Sequence, residues 1–292
     1  MKLVFSRKGF DSSTGGFPSP IINGKPISLP IPYPTSKSSY QHFNLGKIVK
    51  DLTSRKLTEK DLCHNDPDLE MGAFGQVSSA QSHLHNQNVG SGDLFLFFGW
   101  FREAEMVDGN YRYKSDAIDH HRIFGWMFVD QKFAVGSETE EFRRKWTKYA
   151  NHPHAIGKWG PNNTMYLASK TFSMFGEHII RGFGTFPVSK RTLLTNDNAP
   201  SKRFWSVPDW LNPAKGGCIP SYHDRKSYIG GLLKTAGRGQ EFVCHPHQNK
   251  KFKEWLFGLF SEEINNLNQN PKCQTRNEPA SITRSQPTSI KP

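Results

Sequence analysis

Apolar positions mark the chain's elements before any chemistry is considered. KLVFS at the start predicts a strand, and the prolines from Pro18 to Pro34 exclude a helix from the Gly/Ser/Pro-rich stretch after it. Leu45, Ile48, Val49 and Leu52 recur at i, i+3, i+4 and i+7, the spacing of a short amphipathic helix. SSAQSHLHNQNV reads as a second helix. GDLFLFFGWFRE is the clearest strand, RIFGWMFVD a second aromatic strand and NTMYLASK a third, with a connecting helix over residues 138–150. After residue 170 the pattern loosens into loops around KRFWSVPDWLNP and SYHDRKS. A last helix carries Phe252, Trp255, Leu256, Leu259, Phe260 and Ile264 on one stripe, suited to docking on a sheet. Residues 1–266 read as a single domain and 267–292 as a disordered basic tail, with Lys272, Arg276, Arg284 and Lys291 against Glu278 alone. The fold class expected is α+β: β-rich, with a mixed or barrel-like sheet and flanking helices.

Composition sharpens this. The 292 residues include 22 Phe, 8 Tyr and 7 Trp, so aromatic packing dominates the expected core. The formal charge of +12 favours polyanions, that is, a nucleotide or nucleic acid as partner. Four scattered cysteines without CxxC spacing argue against a disulfide framework or zinc ribbon and suit a reducing cytoplasm. No apolar run reaches membrane-spanning length, so no membrane partner is expected.

Three stretches carry chemistry. In SRKGFDSSTGG, small and hydroxyl residues follow a strand beside Arg7 and Lys8; with Ser12 they could hold a phosphate, although the Walker order is absent. CHNDPDLE has two readings. Asn65-Asp66-Pro67-Asp68 is good turn chemistry, while His64 with Asp66 and Asp68 could supply ligands to Fe, Mn or Zn or an acid/base pair. Eight of the 12 histidines come in close pairs, and two pairs, His120/His121 and His152/His154, adjoin predicted strands. The third stretch joins GAFGQ and its following helix to the two aromatic strands. It resembles the barrel meander of PUA-like and EVE-like modules, where aromatics such as Trp100 would stack on a base and Gln76 would read its edge.

In this order, KLVFSRKGFDSSTGG, CHNDPDL, GAFGQ, GDLFLFFGWFR, HHRIFGWMFV, HPHAIG, NTMYLAS, SYHDR and GRGQEFV resemble the third family of nucleotide modification associated domains over roughly residues 1–260. The resemblance implies a role in bacterial or phage systems that modify DNA bases, beside other base-modification enzymes. Two expectations follow. One is an enzyme acting on a nucleotide or nucleic-acid base. Its acid–base residues would come from Asp11, Asp66, Asp68, His121 and His223, its nucleotide contacts from Arg7, Lys8, Ser12, Gln76 and Trp100, and its metal ligands from His64, His152 and His154, with iron as a fitting first-row ion. The other is a non-catalytic PUA-like reader of modified bases.

Overall fold

The computed structural model describes residues 1–237, 239–247 and 249–269. Its centre is a ten-stranded mixed sheet. Strand β1 (Leu3–Arg7) forms where KLVFS predicts it and lies inside the sheet, one strand from its edge. It is parallel to β4 (Leu94–Val107) and antiparallel to β8 (Glu241–Cys244). A strand covered on both faces has no reason to alternate, and Leu3 to Ser6 are all buried. Beyond β4 come β5 (His120–Ala134), β6 (Thr164–Ala168) and, at the edge, β3 (Ala73–Gln76), each antiparallel to its neighbour. Two shorter strands extend the sheet: β2 (Ser19–Ile22) runs parallel to the far half of β4, and β7 (Phe183–Thr185) pairs with β5.

Successive side chains on each strand serve opposite faces. Leu3, Phe5, Leu96, Phe98, Trp126 and Phe128 pack on one side, under helices α5 (Lys250–Leu259) and α6 (Ser261–Gln269). Val4, Phe95, Phe97, Phe74 and Tyr166 pack on the other, under Leu84 of α2 (Ser78–Asn86). The α+β, strand-rich expectation holds, and of its two forms the sheet is the open, mixed one: among the described residues no backbone pairing joins β3 to β8. A side chain bridges that gap, Gln76 Nε2 donating to Glu241 Oε1 at 2.7 Å.

Helix α1 (Gly46–Leu52) falls where its spacing places it. The helix expected over 138–150 is shorter, α3 (Thr139–Lys145), followed by a 3-10 turn. The final stripe is split in two at Phe260, whose ring inserts against Trp126, Phe128 and Phe186. The segment read as loops after residue 170 holds a hairpin (Thr171–Met174 with His178–Arg181) and a small three-stranded sheet; its strands are too short for a period to register. No helix among the described residues is long and apolar enough to cross a membrane. The tail expected from 267 begins inside α6, and from residue 270 onward it lies outside the described residues.

Candidate functional site

A cavity of about 190 Å³ opens where β1 ends, lined by Arg7, Lys8, Asp11, Tyr33, His64, Asp66, Gln76, His154 and Trp159 among others. Each wall has a local cause. The proline-rich segment crosses the cleft and pairs Ile31–Pro32 with Cys63–His64, which presents His64. Asp66 follows, its side chain 5% exposed, and accepts from the Gly75 N–H of edge strand β3 at 2.9 Å. From the other side, the one-turn helix α4 (Pro153–Ile156) carries His154 in its first turn, with His152 as its N-cap.

Gly75 is required here for space. A Cβ at that position would lie 2.2 Å from His154 Cγ, so only a glycine lets the imidazole lie flat on β3.

The ligand atoms of His64, Asp66 and His154 all lie within 4.8 Å of one another. His64 Nε2 and His154 Nε2 are each 3.9 Å from Asp66 Oδ2, and His152 Nε2 is 3.2 Å from Oδ1. Hydrogen bonding fixes the tautomer of His154. The Asn163 amide donates to the carbonyls of Gly136 and His154, at 3.1 and 2.9 Å, so its Oδ1 must accept. That oxygen sits 2.7 Å from His154 Nδ1, which therefore carries the proton and leaves a lone pair on Nε2, towards Asp66. His152 Nδ1 accepts from the His154 N–H, which turns its Nε2 to Asp66, whereas the buried His64 Nδ1 has no hydrogen-bond partner among the described residues.

Burial pushes His64 down to about 4 and His154 down to about 3, against the pull of Asp66. For Asp66, burial alone would raise the pKa, but the imidazoles of His152, His154 and His64 outweigh it and hold the carboxyl below its ordinary range. At neutral pH His64 and His154 are therefore neutral imidazoles beside one carboxylate, the state in which such groups ligate a cation. Aromatic rings complete the wall: Trp159 stacks on His154 at 4.2 Å and on Tyr33 at 6.0 Å between centroids.

The remaining expected site residues fall in different places. Asp11 lines the cavity, but its Oδ1 caps its own turn, accepting from the Ser13 and Thr14 N–H groups. Ser12 is exposed on that turn. Asp68 does not join Asp66; its Oδ1 accepts from the N–H groups of Glu70 and Met71. Arg7 and Lys8 diverge because neighbours on a strand face opposite ways. Lys8 Nζ donates to the buried Glu241 at 2.9 Å, beside Gln76, while Arg7 turns over the rings of Phe98 and Phe242.

His121 and His223 lie outside the cavity lining. Trp205 Nε1 donates to His121 Nδ1 at 3.0 Å; His223 sits between the Ser221 carbonyl and the Ala236 N–H. Trp100 lies under the Lys202 ammonium, also outside the cavity lining. Sequence reasoning missed Tyr33, Trp159, Asn163 and Glu241. Each is a lone residue in a loop or at a strand start, with no spacing to mark it.

The family described as nucleotide modification associated domain 3 matches residues 2–245. No curated protein and no solved structure matches the chain.

Proposed function

The chain belongs to the nucleotide modification associated domain 3 family, and from that premise we propose that it is an enzyme acting on a nucleotide or nucleic-acid base, with a first-row transition metal such as iron held by His64, Asp66 and His154. The observation that carries this reading is the convergence of two imidazoles and one carboxylate within 4.8 Å on a cavity wall. Two histidines with one carboxylate are the donor set suited to non-haem Fe(II). Support also comes from the fixed His154 tautomer and from the buried His64 Nδ1, which has no partner among the described residues, since such atoms are rare unless something else satisfies them. When bound, the ion would supply Lewis-acid or redox chemistry. The chain's own residues would do the rest. Tyr33 and Trp159 offer ring faces to a base, Gln76 offers an amide at the cavity wall, and Asn163 keeps His154 in its ligating form.

The test is elemental analysis of protein purified with and without oxygen. Near-stoichiometric iron or manganese is expected in the wild type, lost in Asp66→Asn and kept in Asp68→Asn, whose side chain only caps a turn. A metal-free wild type that binds oligonucleotides containing modified bases would make the protein a reader.

A further inference from the structure

Next to the cavity is a group of cations that carboxylates reach only from beyond ion-pair distance: Asp11 attracts Arg7 and Lys202 in this way, and Arg7 repels both Arg203 and Lys202. The guanidiniums of Arg7 and Arg203 converge on one short backbone segment. Arg7 donates to the carbonyls of Ala236 and Gly237 at 2.9 and 3.2 Å, and Arg203 donates twice to that of Thr235, at 2.9 and 2.6 Å. The position of a Cβ on Gly237 lies 3.6 Å from the Arg203 guanidinium, so both arginines crowd the same three residues. Lys202 precedes Arg203, and its Nζ sits 3.8 Å over the Trp100 ring. Trp100 is tied to Arg7 through the sheet: Arg7 is opposite Phe98, and Trp100 is the next residue of β4 on that face.

Among the described residues none of these three cations has a carboxylate within ion-pair distance. The nearby carboxylates are already committed: Asp119 to Arg102 at 2.8 Å, Glu241 to Lys8, and Asp11 to its own turn. Arg7 Nε is buried without a partner. Like charges held together repel, and what relieves the repulsion is an anion.

We propose that Arg7, Arg203 and Lys202, with the Trp100 indole, form a phosphodiester track that carries a polynucleotide strand past the cavity. The inference rests on the reading of the cavity as the reacting site and names its substrate class: a base within a polynucleotide rather than a free nucleotide. The position of the cations decides between the two. Arg7 lines the cavity, but Arg203, Lys202 and Trp100 lie beyond its lining. A single nucleotide has no use for cations and an aromatic ring outside the pocket that holds it. A strand has neighbouring phosphates and bases to place there.

The test measures binding of single-stranded and duplex DNA of mixed sequence across a salt series, using the full chain. Wild type should bind with a steep salt dependence. Lys202→Gln should bind several-fold more weakly at low salt and, for single strands, with a log–log slope shallower by about 0.7, the loss of one phosphate contact. Lys202→Arg should restore both. Metal content and binding of a nucleoside monophosphate should not change in Lys202→Gln. Wild type that binds neither DNA at low salt, or Lys202→Gln with unchanged affinity and slope, overturns the track. Equal loss of monophosphate and oligonucleotide binding also overturns it, since the phosphate held would then be a free nucleotide's. Failure of the enzyme reading shows separately, in a metal-free wild type or in an Asp66→Asn protein that keeps its metal.

Discussion

Two groups of buried and half-buried histidines sit in this molecule, and they look alike by the usual signs. His64 and His154 flank the cavity; His121 and His223 pack against Phe98, Trp205 and Phe242. Burial lowers the pKa of all four. They differ in what their ring nitrogens face. His223 has both nitrogens occupied, and His121 accepts from the Trp205 indole. His154 has one nitrogen occupied by Asn163 and the other facing Asp66. Desolvation thus marks burial, not function. A spare lone pair facing a carboxylate is what separates the proposed ligand from the scaffold.

Three substitutions or conditions sharpen that contrast. The largest effect is expected from His121→Ala, which opens a cavity in the aromatic core and leaves the buried Trp205 N–H without an acceptor. It should lose about 2–4 kcal/mol of stability in denaturant titration while keeping wild-type metal content; a parallel loss of metal from a still-folded variant would erase the distinction. Next is Asn163→Ala, which frees the His154 tautomer. Metal affinity should fall about 10–100-fold, read by competition with a chelator, and an unchanged affinity would show that Asn163 does not orient the ring.

The smallest effect concerns acid. His121 is held well below its ordinary value of 6.5 by burial first, with Arg7 and Lys202 adding to it. The unfolded chain therefore binds the proton more readily, so the stability this group contributes is present above pH 6.5 and lost as pH falls. Between pH 6.5 and 5, the stability of wild type should fall more steeply than that of His121→Phe, by at most about 1.4 kcal/mol per pH unit. Identical slopes would mean that His121 titrates normally.

The sequence made much of this legible, and the limits have physical reasons. Long apolar runs reported the central strands, since a strand buried on both faces must be apolar throughout. The NHPH stretch beside a predicted strand pointed to His152 and His154, and CHNDPDLE to His64 and Asp66. The two carboxylates of that last stretch part company: Asp66 turns into the cleft and Asp68 caps the turn. Composition could not divide those roles, because an aspartate suits either. Nor could it find Asn163, whose importance comes entirely from the ring it touches.

Gly75 and the strand order also fix when the cluster can exist. His64 and Asp66 leave the ribosome early, whereas His154 and Asn163 arrive only after β5 has been made. Strand β6 must then insert between β5 and β3 before the second imidazole can reach its glycine. Half the cluster thus waits unmatched through much of synthesis, and pairings this distant in sequence are slow to form. On the proposed reading, a cation would meet its full donor set only once the cleft has closed.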